Sequence, residues 1–243
     1  MSVKTSAELT TLALERTLKA EAFERARNDW RRPAALSKSV TPAYTITISR
    51  ESGAGGAAVA RELGRLLEWP VYDRELLEHI AKQAGLRSEL LESLDEKRTH
   101  WLTEILESFG RTSPMSGASY ARHLAETILA LASHGHCVIV GRGSTAIVPP
   151  RSSLRVRLVA PLDDRTERIC KRLGVSKVAA SEHVRFNDAH REGFVNDYFH
   201  HNVGDPHDYD LIINTSRFSV EESARLIIDA LRQIEMSSQE RLS

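Results

Sequence analysis

The sequence predicts an α/β domain with a five-stranded parallel sheet, and three observations carry that prediction. Short apolar, β-branched runs alternate with helix-forming stretches along most of the 243 residues, the pattern of a parallel sheet covered on both faces. The first run, Tyr44-Thr45-Ile46-Thr47-Ile48-Ser49, passes directly into a glycine cluster and then into a stretch of helical composition. Between the second and third runs lies a long helical stretch, an insertion on the core.

The elements follow in order. Thr5 to Trp30 reads as a helix, with Thr5 and Glu8 at capping-box spacing and Leu12, Leu18, Ala22, Phe23 and Ala26 forming an apolar stripe. Arg31-Arg32-Pro33 ends it, and Pro33 to Pro42 reads as a linker. Residues 1–42 are therefore expected to dock on the main domain or on a second subunit, or else to form a loose tail. The main domain spans 43–235. Ala57 to Leu67 is its first helix and Trp69 to Tyr72 its short second strand. Asp73 caps a helix to Gln83. Arg87 to Phe109 is helical and charged, Gly110 to Ser119 a flexible connection, and Tyr120 to Ser133 a helix with Leu124, Ile128 and Leu131 on one face. The insertion covers about 73–135. Cys137 to Val140 is the third strand and Leu154 to Ala160 the fourth, broken by Pro161. Asp163 to Leu173 is a helix, Ser176 to Val195 two shorter helical pieces, and Tyr209 to Asn214 the last strand. Val220 to Ile234 closes the domain, with Ser219 and Glu222 as a capping box. Residues 236–243 read as a tail.

Composition excludes several classes. A hydrophobic fraction of 41% and a charged fraction of 27% are those of a globular chain rather than a disordered or collagen-like one. No window approaches 18 consecutive apolar residues, so no membrane partner is expected, and Met1 to Ser6 carry no signal pattern. Basic and acidic residues both number 33, and zero net charge gives no argument for a nucleic-acid partner. Cys137 and Cys170 are too few for a disulfide framework, and a reducing cytoplasm is the expected compartment. Only seven of the basic residues are lysine. The rest are arginine, whose planar fork matches phosphate.

The strand–glycine–helix unit is the strongest local signal. In Ser52-Gly53-Ala54-Gly55-Gly56-Ala57, glycines between a buried strand and a helix let backbone N–H groups wrap an anion. The pattern G-x-x-x-x-G-K-[ST] is not met: Arg50 stands at its first glycine, Gly56 at its lysine, and Ala57 follows. A tight strand-to-helix turn is the alternative reading. Cys137 reads as a core residue. His200, His201, His207 and Asp208 match no standard zinc spacing, so no metal site is assigned to protein side chains.

Five segments occur in order: Ile-Ser-Arg-Glu-Ser-Gly-Ala-Gly-Gly from 48, Val-Tyr-Asp-Arg-Glu-Leu-Leu from 71, Val-Ile-Val-Gly-Arg-Gly from 138, Leu-Arg-Val-Arg-Leu-Val-Ala-Pro from 154, and Tyr-Asp-Leu-Ile-Ile-Asn-Thr from 209. Together, over about Tyr44 to Leu231, they resemble the cytidylate kinase-like family, a branch of the P-loop nucleoside monophosphate kinases. The resemblance implies a five-stranded parallel sheet of that type, a helical insertion for the monophosphate, and a mobile lid over ATP at about 173–205. It implies Ser52 to Ala57 around the ATP phosphates and Mg²⁺ bridging their oxygens. Arg142 matches the arginine that holds the acceptor phosphate, while Gly143 stands where cytidylate kinases proper have an aspartate. Asp188 and Arg191 resemble the Asp-x-x-Arg of the lid, and Asp188 is expected to contact substrate. Arg165 and Arg191 are expected to neutralise developing charge. Arg168 and Arg172 share Arg165's helix face and read equally as a salt-bridged surface. Asp73 is a helix cap or a substrate contact.

Two functional classes follow, with a third tied to the N-terminal helix. One is a phosphotransferase moving the γ-phosphoryl of ATP to CMP, dCMP or a related monophosphate. Another is a nucleotide-binding module without catalysis, favoured by Gly56 and Gly143. A third is a structural or regulatory protein, with a homo-oligomer formed through the N-terminal helix. For the enzyme, Arg50 is the expected substitute for the lysine, folding back over the phosphates; the competing reading pairs it with Glu51 or Asp73.

Overall fold

The computed structural model describes residues 43–92, 94 and 116–240. The expected N-terminal helix and most of the charged stretch to Phe109 lie outside them. The elements are β1 (Thr45–Arg50), α1 (Gly56–Leu67), β2 (Val71–Tyr72), α2 (Arg74–Lys82), α3 (Ala84–Glu92), α4 (Ser116–His134), β3 (Cys137–Val140), α5 (Ser144–Ile147), β4 (Ser153–Val159), α6 (Leu162–Leu173), α7 (Lys177–Phe199), β5 (Leu211–Asn214) and α8 (Val220–Glu240). The strands form one sheet in the order β2-β3-β1-β4-β5, and every neighbouring pair is parallel.

β1 is central because its residues are buried on both faces. Ile46 and Ile48 pack with Val59 and Leu63 of α1 and with Ile227 and Leu231 of α8. Thr45 and Thr47 are fully buried on the alternate positions, and Thr45 Oγ1 donates to the Ala132 carbonyl of α4 at 3.3 Å. A second core joins Leu77 and Ile80 of α2 to Leu124 and Ile128 of α4 and Ile139 of β3. The chain runs from β1 out to β2, returns through β3, then crosses β1 to β4 and β5. That reversal opens a crevice at the C-terminal ends of β1, β3 and β4, where ligands bind in sheets of this kind.

Several elements differ from the sequence expectation. The stretch after Ser176 is one 23-residue helix rather than two pieces. Ser176 caps it by accepting from the Ala179 N–H at 3.3 Å, no proline interrupts it, and Gly193 has open space beside it. α8 continues to Glu240, beyond its expected end at Ile234 and into the expected tail, where Ser238 anchors it to Tyr44 through a 2.7 Å hydroxyl contact. α5 was not anticipated; four residues are too few to leave a periodic pattern. The Ser219–Glu222 box forms as expected, at 2.8 and 3.1 Å.

Ile48→Ala removes the fully buried centre of β1 and should lower unfolding stability by roughly 2–5 kcal/mol in urea titrations; a loss below about 1 kcal/mol would place Ile48 outside the core.

Candidate active site

The glycine loop begins where β1 stops pairing. The Glu51 N–H still reaches the Leu158 carbonyl at 3.1 Å, and the chain then turns, with the Ala54 N–H on the Glu51 carbonyl at 3.2 Å. Ala58 and Val59 donate to the Gly55 carbonyl at 2.9 and 3.1 Å, closing the first turn of α1. The N–H groups of Gly53, Gly55, Gly56 and Ala57 meet no acceptor among the described residues. Orphan donors at the positive end of a 12-residue helix form a cradle for an anion.

Arginines of α6 brace this loop from outside. Arg165 is buried; its Nε donates to the Ala160 carbonyl at 2.8 Å and its Nη1 to the Ser52 carbonyl at 3.2 Å and Asp188 Oδ2 at 2.5 Å. Asp188 Oδ1 accepts the Ser52 N–H at 2.6 Å, which ties α7 to the loop. Glu51 accepts the Ala160 N–H at 3.1 Å and faces Arg165 Nε at 3.3 Å. Arg168 bridges the Gly53 carbonyl, at 3.3 Å, to the carbonyl and hydroxyl of Thr215 at 2.7 and 3.0 Å. Arg172 is exposed.

Arg50 takes the opposite course. Its aliphatic stem lies over Gly56, where a Cβ would fall 2.6 Å from its Cγ, and its guanidinium lies against Gly141, where a Cβ would overlap Nη1. A lysine at 56 is incompatible with this path. The guanidinium bonds neither Glu51 nor Asp73, and it has no acceptor among the described residues. Burial, then repulsion from Arg191, Arg142 and Arg74, draws its pKa down to about 10 against a weaker pull from Asp73.

Beyond Gly141, Arg142 adopts a left-handed backbone at φ 54°. It pairs with Glu78 of α2 and stacks over the Phe194 ring of α7 at 4.8 Å. Glu78 also accepts from Arg74 at 2.8 Å. Burial pushes the Glu78 carboxyl up, but the two arginine hydrogen bonds outweigh it and hold it below the usual range. Gly143, at φ 74°, lies against Phe199: a Cβ there would sit 2.7 Å from the ring. The aromatic side chain fills the space that an aspartate at 143 would need.

A cleft open to solvent lies beside these parts, lined by Arg50, Arg74, Arg142, Arg157 and Arg191 together with Glu51, Asp188 and Glu192. Arg191 stands 3.7 Å from Asp188. Burial lowers its pKa; Asp188 pulls upward, and repulsion from Arg74, Arg142 and Arg165 adds to the lowering. The structure thus brings Arg50, Arg142, Asp188 and Arg191 together beside the Ser52–Ala57 loop. It does not bring Arg165, Asp73 or the loop residues Ser52 to Ala57 into the cleft lining: Arg165 is spent on the loop, Asp73 caps α2 by accepting from the Leu76 N–H at 3.0 Å, and the loop borders the cleft behind Glu51 and the Arg50 stem. Sequence reading missed Glu78, Phe199 and Arg157. Arg157 reaches Ser49 Oγ at 3.1 Å from the middle of β4, and its place next to Ser49 in the parallel register was the available signal.

The group that phosphates would occupy fits the loop's free donors. A divalent cation does not find matching ligands: Ala57 offers no hydroxyl, and no three His, Cys, Asp or Glu side chains cluster among the described residues. His201 pairs with Asp208 at 2.7 Å and His207 with Asp205 at 2.8 Å, outside any such cluster. No helix among the described residues is long and apolar enough to cross a membrane. Cys137 is buried, which pushes its thiol up to about 12.

A parallel sheet in the order 2-3-1-4-5, with a glycine loop at the end of its central strand, defines a P-loop kinase-type fold. Within that class the chain belongs to the cytidylate kinase-like family, whose model matches residues 45–217. A uronate isomerase from Corynebacterium glutamicum is 26% identical over 181 residues, 72% of this chain; the chain spans only 34% of that relative's length. A cytidylate kinase from Pyrobaculum calidifontis is 23% identical over 185 residues, covering 76% of this chain and 90% of the relative. An uncharacterized protein of known structure from Eubacterium ventriosum superimposes with a TM-score of 0.63 at 25% identity, covering 79% of this chain and 99% of that one.

Gly143→Asp introduces both a left-handed side-chain residue and a clash with Phe199; a stability loss of about 1–3 kcal/mol is expected, part of it recovered in Gly143→Asp/Phe199→Ala. Melting curves of the single and double variants compare the two, and equal losses would show that Phe199 does not set the constraint. Arg50 supplies a second expectation. A lowered guanidinium pKa means that the unfolded chain holds the proton more tightly than the folded one. The resulting destabilisation is present in full below about pH 10 and fades as pH rises above it. Arg50→Met should therefore stabilise the unliganded protein at pH 7 by on the order of 1–3 kcal/mol, measured by denaturant titration. A destabilised variant would mean that Arg50's stem packing outweighs its charge.

Proposed function

We propose that this protein is a nucleotide-dependent phosphotransferase that moves the γ-phosphoryl group of ATP to a nucleoside monophosphate, CMP or dCMP being the first candidates. The observation that carries the reading is the path of Arg50. Its side chain crosses the residue where a P-loop lysine would begin and ends against Gly141, in the cleft that Arg142 also lines. A guanidinium held there can touch a phosphoryl group between donor and acceptor with two parallel hydrogen bonds.

Other roles follow from position. Gly53, Gly55, Gly56 and Ala57 would hold the ATP phosphates by backbone N–H groups, with Ser52 and Ala54 shaping the loop. Arg142, held by Glu78 and Phe194, would orient the acceptor phosphate. Arg191 would neutralise charge that develops during transfer, and Asp188 would position Arg191 and the loop. Arg165 would act through the loop that it braces, and Asp73 through the helix that it caps. Residues 173–205, mostly α7, would form the lid that excludes water. The Mg²⁺ that the resemblance implies would find no ligand set among the described residues. Cytoplasmic residence, and self-association through residues 1–42, remain part of the proposal.

A second reading, a nucleotide-binding module without transfer, is favoured by Gly56 and Ala57, which leave the first turn of α1 without an amine or a hydroxyl. A coupled assay of the purified protein with ATP against each nucleoside monophosphate separates the two. Turnover is expected. Arg50→Ala should abolish it in a folded protein, and Arg50→Lys should restore it only in part. Arg142→Ala should weaken monophosphate binding about ten- to a hundredfold, the size of one charge-assisted contact, and leave ATP binding nearly intact. ATP binding with no turnover of any monophosphate would establish the binding module instead. Activity within about threefold of wild type in Arg50→Ala would remove the role given to Arg50.

A further inference from the structure

We infer that the cleft binds polyphosphate as a metal-free anion, with Arg50, Arg142 and Arg191 supplying the positive charge that a P-loop lysine and a protein-held divalent cation supply together. The inference rests on the phosphotransferase reading and concerns the same site.

The first observation is what the first turn of α1 lacks. A P-loop lysine contributes one charge and the following hydroxyl contributes a ligand to Mg²⁺. Here Gly56 and Ala57 contribute neither. Nor can the lysine simply have been lost, because Arg50's stem occupies the space over Gly56.

The second observation is the state of the carboxylates. Mg²⁺ binds through oxygen ligands, usually one or two carboxylates with water and phosphate. Glu51 is engaged by the Ala160 N–H and Arg165, and Asp188 by the Ser52 N–H and Arg165. Glu78, behind Arg142, is engaged by Arg142 and Arg74. That leaves Glu192, an exposed residue on the cleft wall, one carboxylate among five lining arginines. Recruiting any of the others to a cation would unpair a buried or half-buried arginine, at a cost that the ion would have to offset.

The third observation is the guanidinium itself. Arg50 is half-buried, without an acceptor among the described residues, and lines the same open cleft as Arg142 and Arg191. A cation entering that space adds repulsion, whereas an anion supplies the missing acceptor and relieves three like charges at once. Three guanidinium charges equal in number those of one lysine and one divalent ion. Nucleotide saturated with Mg²⁺ has its phosphate oxygens partly covered, so it presents less charge and fewer acceptors to the arginines than free nucleotide does.

Isothermal titration of the full chain with ATP, and separately with tripolyphosphate, in EDTA and in excess Mg²⁺ tests this. Metal-free ATP is expected to bind as tightly as Mg-ATP or more tightly. Arg50→Met should weaken the metal-free affinity about tenfold, with an unliganded melting temperature showing that it folds; Arg50→Lys, which keeps the charge and loses the fork, should fall between. Mg²⁺ that tightens wild-type ATP binding threefold or more overturns the inference and leaves the phosphotransferase reading standing. A loss below threefold in a folded Arg50→Met overturns the assignment to Arg50. Failure of ATP and tripolyphosphate to bind in either buffer overturns both readings together.

Discussion

Arg50 leaves the central strand at the point where the chain turns into the glycine loop, and its side chain needs a channel to the cleft. Two glycines make that channel. Gly56 lets the stem pass over the start of α1, and Gly141 lets the guanidinium rest at the end of β3. Because β1 pairs with β3 in parallel register, with Ile48 opposite Val140, these two positions are adjacent in space although 85 residues apart in sequence. The sheet order therefore decides what the loop can do. With β3 on one side of β1 and β4 on the other, the ends of β1 and β3 and an interior position of β4 deliver Arg50, Arg142 and Arg157 to one crevice.

Concentrating arginines in this way is unfavourable unless something holds them apart. The carboxylates do this, each from a different element. Glu78 reaches Arg142 and Arg74 from α2, Glu51 and Asp188 hold Arg165, and Asp188 also stands near Arg191. Such pairs add little net stability when half-buried, since desolvation offsets much of the attraction. Their effect is orientation. A braced guanidinium keeps one face toward the cleft and loses little conformational freedom when an anion arrives. Arg50 stands apart from this scheme because its orientation comes from packing against backbone rather than from a carboxylate.

Much of this was legible in the chain. The β-branched run at 45–48, the glycines after it and the apolar runs at 137–140 and 211–213 locate the sheet, because a buried parallel strand needs little else. Five strands, Asp73 as a cap, the Ser219–Glu222 box and Cys137 in the core all follow from local chemistry. The continuity of α7 was not legible, since its apolar residues are spread around the helix and give no single face, and its Ala180 and Val184 are buried in a small cluster with Ile169, Leu162 and Cys170 of α6 and Val175. Within the site, the arginines that match the family's motifs were found, but their partners were not. Glu78 meets Arg142 from 64 residues away and Phe199 meets Gly143 from 56, and neither has a sequence signature as a partner. Arg165 looked like a transfer residue because its motif position is right; only the packing of Gly53 against α6 shows why its side chain is consumed by the loop.

Gly143 illustrates how one small residue records a choice made elsewhere. An aspartate at this position would need room beside Arg142 and a backbone that tolerates φ near 74°. Phe199 already fills that room, and Phe194, one turn earlier on the same helix, supports Arg142 from beneath at 4.8 Å. Phe194 and Phe199 also contact each other, with ring centroids 5.9 Å apart. The C-terminal part of α7 thus sets an aromatic platform under Arg142 in the space that an aspartate at 143 would need. A platform of that kind keeps the guanidinium's hydrogen-bonding edge free and presses its flat face against a ring. In the proposed function it would steady Arg142 against a phosphate and provide no carboxylate to read the group attached to it. The same helix carries Asp188 and Arg191 at its middle, so any motion of α7 alters the loop contact, the charge facing Arg50 and the support of Arg142 together.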